Sequence, residues 1–240
     1  MREYEVIDGR YRVDKRIGQG GMGQVFEGHD QVLDKTVAIK VLFPNTSDSV
    51  IKRFHAEAVA LGQLKHPNIL SVQHFGQSND GVLYLVTDFI QGESLNDIIE
   101  NRGAQTFFDV LPIFERICRG LRYAHANNVL HRDIKPSNVM LESDRSRDDS
   151  VKLVDFGLAK QADKDFELTK AGSAMGTPGY MSPEAIHGKE ADERSDIYLW
   201  FYGSVHRFHH DQTECRSQLT KLYCALVSHL RQNQPNDSPR

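Results

Sequence analysis

The chain has 240 residues, 39% of them hydrophobic and 26% charged, which supplies enough apolar side chain for a core in one domain or two lobes and excludes a chain disordered throughout. A net charge of −4 and a pI near 6.3 leave no electrostatic footprint for nucleic acid, and no apolar run is long enough to span a bilayer. Met1 to Arg10 shows no signal peptide, and Cys118, Cys215 and Cys224 make no disulfide framework, so a reducing cytoplasm is the expected compartment.

Residues 11–18, 24–29 and 36–42 predict short strands rich in β-branched and aromatic side chains, hence a twisted antiparallel sheet. Between the first two lies the run Ile17, Gly18, Gln19, Gly20, Gly21, Met22, Gly23, Gln24, Val25. A Gly-x-Gly-x-x-Gly run alone is an ordinary tight turn. Placed between two strands, it can bring backbone N–H groups against phosphates because no Cβ intervenes, whereas a dinucleotide fold needs strand, glycines, then helix. From 49 to 65 the residues Ile51, Phe54, Ala58 and Leu61 recur at helical spacing, Pro67 stops the pattern, and the helix carries Glu57. Residues 70–75 and 82–89 return to strand character around an Asn79-Asp80-Gly81 turn. Beyond Gln91-Gly92, Ser94 caps a helix through Asn101, and 108–126 places Val110, Phe114, Ile117, Leu121 and Ala124 on one face. Residues 142–150 are charged, carry no apolar side chain and predict a surface loop.

The chemistry concentrates in two short stretches. His131-Arg132-Asp133 is followed by Lys135 and Asn138, and Asp155-Phe156-Gly157 comes soon after. Asp133 can hold a substrate hydroxyl, Lys135 can neutralise a moving phosphoryl group, and Asn138 with Asp155 can offer the hard oxygen atoms that Mg²⁺ demands. Phosphoryl transfer is the natural reading. Together with the glycine loop and Val37-Ala38-Ile39-Lys40, the set resembles the signature of protein kinases, and in its compact form the bacterial Ser/Thr kinases of eukaryotic (Hanks) type.

That resemblance implies an α+β, two-lobed protein-kinase-like fold. An N-terminal antiparallel β-sheet lobe with one helix (11–90) precedes an incomplete, mainly α-helical C-terminal lobe (91–198). It implies ATP and Mg²⁺ as cofactors and a protein substrate with a Ser/Thr acceptor. By the same resemblance residues 17–25 cover the phosphates, Lys40 contacts them while held by Glu57, and Asp133 and Lys135 are catalytic. Asn138 and Asp155 bind metal; Val25, Ala38 and Met140 bound an adenine slot with Thr87 deep inside it; and the hinge at Asp88 to Ile90 bonds the adenine edge through its backbone. Lysine at 135 resembles Ser/Thr specificity. The segment between Gly157 and Ser182-Pro183-Glu184 resembles an activation loop, with Thr169 expected to be phosphorylated near Arg132, and Thr177 to face substrate.

Arg194-Ser195-Asp196-Ile197-Tyr198 resembles the start of the central helix of the large lobe, where Asp196 would brace the catalytic loop. Residues 199–240 then depart from the pattern and read as a truncated or frame-shifted tail, with a candidate helix at 213–231. His206, His209, His210, Cys215 and Cys224 match no paired zinc-ligand spacing. The competing function is a truncated, catalytically weak remnant that binds nucleotide or a partner without turnover. A small-molecule kinase of the same fold is a third reading, disfavoured because 177–184 resembles a protein-substrate platform.

Overall fold

The computed structural model describes residues 5–44, 46–103, 107–144, 146–147, 149–156, 192–198 and 200. The small lobe is a six-stranded antiparallel sheet in the order β1-β2-β3-β4-β6-β5, formed by Val6–Ile7, Tyr11–Gln19, Gly23–Asp30, Lys35–Leu42, Leu83–Asp88 and Val72–Gln77. The period-2 alternation along β4 decides which face each residue takes. Val37, Ile39 and Val41 turn into one apolar cluster with Tyr11, Val13, Phe26, Tyr84 and Val86, so Ala38 and Lys40 are left on the opposite face. That opposite face carries Leu42 and Leu85, which pack on Phe54 and Ala58 of α1 (Asp48–Gln63).

The α1 stripe differs from the predicted one at its first turn. Ile51 is 36% exposed, and Val50 packs against the cluster in its place, because 50, 54, 58 and 61 follow the buried side of the helix more closely than 51 does. β1 is an element the sequence pattern does not mark, since two residues carry no periodicity. It is fixed instead by side chains behind it: the Tyr84 hydroxyl donates to Asp8, and Arg10 makes a two-pronged pair with the buried Asp30 at 3.0 and 2.7 Å. β5 starts at Val72 and not at 70, because Ile69 and Leu70 pair with Leu153 across the lobe boundary.

The large lobe begins with β7 (Gly92–Ser94) and α2 (Leu95–Arg102). Ser94 caps α2 through a capping box with Asp97, and Gly103 ends it at φ +76°. α3 (Phe107–Ala126) buries Val110, Phe114, Ile117, Leu121 and Ala124 against β8 (Val139–Glu142) and β9 (Val151–Leu153). Residues 193–198 and 200 are helical, and Trp200 lies 1% exposed with its ring 5.6 Å from that of Phe114. The candidate helix at 213–231 lies outside the described residues. Among the described residues no helix is long and apolar enough to cross a membrane.

Two glycines test this packing. A Cβ on Gly23 would run into the Val41 carbonyl, whereas one on Gly62 of α1 meets nothing within 4 Å. Gly23→Ala is expected to lower the unfolding free energy by about 1–3 kcal/mol, and Gly62→Ala to raise it by about 0.5 kcal/mol, read from urea denaturation midpoints.

Candidate active site

Lys40 stands where α1 and the start of the 155 segment meet the sheet. Its Nζ lies 2.8 Å from Glu57 Oε1 and 2.8 Å from Asp155 Oδ1. Burial works against the charge on Lys40, but Asp155 and then Glu57 outweigh it, so its pKa is raised and it remains an ammonium. Burial pushes the Glu57 carboxyl upward while Lys40 opposes that push. Asp155 is lowered: burial favours its neutral form, yet the Lys40 charge and hydrogen bond prevail. Asp155 holds φ +54°, a left-handed conformation that a non-glycine residue keeps only where its surroundings impose it.

The Asp133 carboxylate is held by two donors, Lys135 Nζ at 2.9 Å and Asn138 Nδ2 at 3.2 Å, both on Oδ2. The same Asn138 amide donates to the Asp133 carbonyl at 2.8 Å, and Val154 N–H donates to the Asn138 carbonyl at 3.0 Å, which ties this loop to the residue before Asp155. His131 is fully buried, and its ring centroid lies 4.5 Å from that of Phe156. Burial lowers its pKa, so the ring is neutral near pH 7. Nε2 then donates to the Val154 carbonyl at 3.1 Å, and Nδ1 faces the Asp133 N–H at 3.4 Å. Beneath the loop, Asp196 is 1% exposed and accepts from His131 N (2.8 Å), Arg132 N (2.6 Å) and His125 Nε2 (2.9 Å).

Cross-strand register places the other expected contacts on one face. Val25 pairs with Lys40, Ala38 with Thr87, and Lys40 with Leu85. Thr87 is buried and its hydroxyl donates to the Asp88 carbonyl at 3.3 Å. The Asp88 side chain accepts from Gln73 at 2.7 Å and from Lys35 at 3.3 Å, both on Oδ1, and its N–H donates to the Ser71 carbonyl at 3.1 Å. Ile90 follows two residues on, and Met140 lies on β8 in the large lobe, paired with Ser94. The glycine loop closes with Gly20 N–H donating to the Gly23 carbonyl at 2.9 Å, and Gly18, Gln19, Gln24 and Val25 continue the ladder below it. A Cβ at Gly20 or Gly21 would meet nothing within 4 Å, whereas Met22 packs on the Leu42–Phe54 cluster; Ile17 at the base of the loop is 45% exposed.

The donor set suits a magnesium nucleotide. Asp155 Oδ1 is used by Lys40, while the side chain as a whole keeps 56% exposure. The Asn138 amide nitrogen is used by Asp133, which leaves its carbonyl oxygen for a cation. Gly157, Thr169, Ser173, Thr177, the 182–184 segment and the His/Cys set after 206 lie outside the described residues. Two supporting residues were not singled out from sequence. His125 gives no signal beyond being a helical histidine. Asn68 is buried, donates to the Val151 carbonyl at 2.9 Å and accepts from Leu153 N at 2.9 Å; its position behind a His-Pro pair was the available hint.

The family model described as "protein kinase domain" matches residues 11–206. The chain is similar to the serine/threonine-protein kinase pkn3 of Myxococcus xanthus, with 41% identity over 79% of this chain and 36% of that protein. It is also similar to PknA of Mycobacterium tuberculosis (39%, 80% and 45%) and to PrkC of Bacillus subtilis (37%, 80% and 29%). The chain thus spans less than half the length of these relatives. The crystal structure of the M. tuberculosis PknI kinase domain superposes with a TM-score of 0.70 at 27% identity, covering 95% of this chain and 89% of that one.

Asp196 offers a direct check on the brace. Burial opposes its ionisation, but His125, His131 and the backbone donors hold its pKa below the ordinary value. A depressed carboxylate stabilises the fold above its unfolded pKa of about 3.9 and loses that contribution as pH falls through the lower folded value. Asp196→Asn is therefore expected to cost about 3 kcal/mol at pH 7, with the gap to the parent narrowing below pH of about 4, in denaturant titrations across that range.

Proposed function

On the premise that this chain belongs to the protein kinase domain family, which matches it from residue 11 to 206, we propose that it transfers the γ-phosphate of ATP to serine or threonine hydroxyls of a protein substrate. The small lobe takes residues 11–90 and the large lobe 91–198. The single observation that supports this most is the linkage of Lys40 to Asp155, of the adjoining Val154 N–H to Asn138, and of Asn138 to Asp133.

The roles follow from what each group can do. Lys40, kept charged by Glu57 and Asp155, binds the α- and β-phosphates, while the glycine loop, which carries no Cβ at Gly20 and Gly21, covers them. Asp133, positioned by two donors on Oδ2, orients the acceptor hydroxyl and takes its proton. Lys135 is close enough to Asp133 that its ammonium can also meet the γ-phosphoryl oxygens and offset the charge developing there. Mg²⁺, when bound, neutralises phosphate charge and fixes the geometry of the chain of phosphates, and Asn138 with Asp155 would hold it. Val25, Ala38, Thr87, Met140 and the backbone from Asp88 to Ile90 receive the adenine. We place the protein in the cytoplasm, with no nucleic-acid partner, on its cysteine usage and charge.

Asp133→Asn is expected to reduce turnover by about 10²–10⁴-fold while nucleotide affinity stays within about twofold, measured by radiolabelled phosphate transfer and by calorimetry with MgATP. Lys40→Met should abolish transfer while leaving the thermal transition in place. Nucleotide binding by the parent chain with no transfer above the Asp133→Asn blank would instead identify a non-catalytic nucleotide-binding remnant.

A further inference from the structure

The turn that links α1 to β5 carries a basic cluster that phosphoryl transfer does not use. Lys65, His66, Pro67 and Asn68 pack on α3, where the His66 ring lies 5.2 Å from the Tyr123 ring. The Lys65 N–H approaches the Tyr123 hydroxyl at 3.5 Å, and Lys152 of β9 reaches over to donate to the Pro67 carbonyl at 2.8 Å. Arg119 and Arg122, three residues apart on α3, share one helix face beside Tyr123. Both are exposed, as is Lys65. Four cations are thereby gathered about one imidazole, in a chain whose net charge is −4. Among the described residues, Glu115 lies 4.0 Å from Arg119 and Asp149 3.9 Å from Lys152 at the margin of the cluster.

His66 sets the polarity of the centre. Its Nδ1 accepts from Asn68 N–H at 3.0 Å, and burial, followed by the charges of Arg122, Arg119 and Lys152, lowers its pKa. The ring is therefore neutral near pH 7 with its proton on Nε2, a further donor among donors. Guanidinium groups bind carboxylates through paired N–H groups, and the Tyr123–His66 shelf offers apolar surface that a polypeptide can cover but a free ion cannot. Nucleic acid fits less well, because it calls for a continuous basic stripe on a domain of high pI, and this chain has a pI near 6.3.

We propose that this junction is a docking site for an acidic polypeptide segment of a partner protein. It lies apart from the residues that handle nucleotide, so its test reads binding and not transfer, and it stands or falls separately from the kinase activity. The probe is fluorescein-labelled hexaglutamate, followed by anisotropy with the full chain at low and at physiological ionic strength. The parent chain should bind it saturably and more weakly as salt rises. Arg122→Glu is expected to lose about tenfold or more in affinity and Arg119→Gln about threefold, whereas Arg102→Glu, the same charge reversal on an exposed arginine of α2, should stay within about twofold. Unchanged circular-dichroism melting would show that these exposed substitutions preserve the fold. Absence of saturable binding, an equal loss in Arg102→Glu, or tighter binding of an oligothymidylate of the same charge would overturn the proposal.

Discussion

A single buried carboxylate holds the candidate site in its shape. Asp196 is nearly inaccessible to solvent, and an ionised side chain in that position is tolerable only if each oxygen is met by donors. It receives three: the N–H groups of two consecutive loop residues, His131 and Arg132, and the ring of His125. The two backbone donors are the important ones. Arg132 sits at φ +63°, a left-handed conformation costing roughly 1 kcal/mol or more for a side chain with a Cβ, and the charge-assisted bonds from its own N–H and that of His131 to Asp196 offset that cost. The next residue is Asp133. Its direction into the cleft is thus fixed by a residue 63 positions later in the chain, itself anchored by a helix whose Trp200 packs on Phe114.

The charge arrangement above that brace is unbalanced in a useful sense. Lys40 is shared between two carboxylates, so the trio Lys40, Glu57 and Asp155 carries one excess negative charge in a partly desolvated cleft. A divalent cation bound beside Asp155 would convert that excess to a net positive charge, and the cleft would then attract the phosphates that it otherwise repels. Nucleotide and metal are in this way expected to enter as a unit. Asp155 is also the one of the two carboxylates with substantial exposure, 56% against 8% for Glu57, which suits it to exchange Lys40 for a metal while Glu57 keeps the lysine in place.

Much of this was legible in the chain because the chemistry is carried by contiguous stretches. The alternation through Val37, Ala38, Ile39 and Lys40 shows which residues share a face, and Ser94 with Asp97 announces a helix start without reference to anything distant. What escaped were the features made by partners far apart in sequence. β1 is two residues long and depends on Asp8 meeting Tyr84, 76 positions away. Ile51 and Val50 are equally apolar, and only the packing of Phe54, Phe75 and Leu85 decides which is covered. Leu70, the first residue of the strand expected at 70–75, bonds Leu153 instead, a pairing across the lobe boundary that local propensity cannot contain. Gly23 reads as a phosphate-loop glycine, yet its nearest constraint is the Val41 carbonyl on the neighbouring strand.

The seam at Leu153 also explains how distant parts of the molecule can act on Lys40. Glu57 comes from α1 and Asp155 from the segment after β9, and these two elements are stitched together just behind the cleft. Asn68 donates to Val151 and accepts from Leu153, Leu70 N–H donates to Leu153, and Lys152 donates to Pro67. The turn after α1 and the strand before Asp155 are therefore joined by four hydrogen bonds behind the two carboxylates that grip Lys40. A polypeptide seated on Lys65, His66 and Lys152 would touch both stitched elements at once.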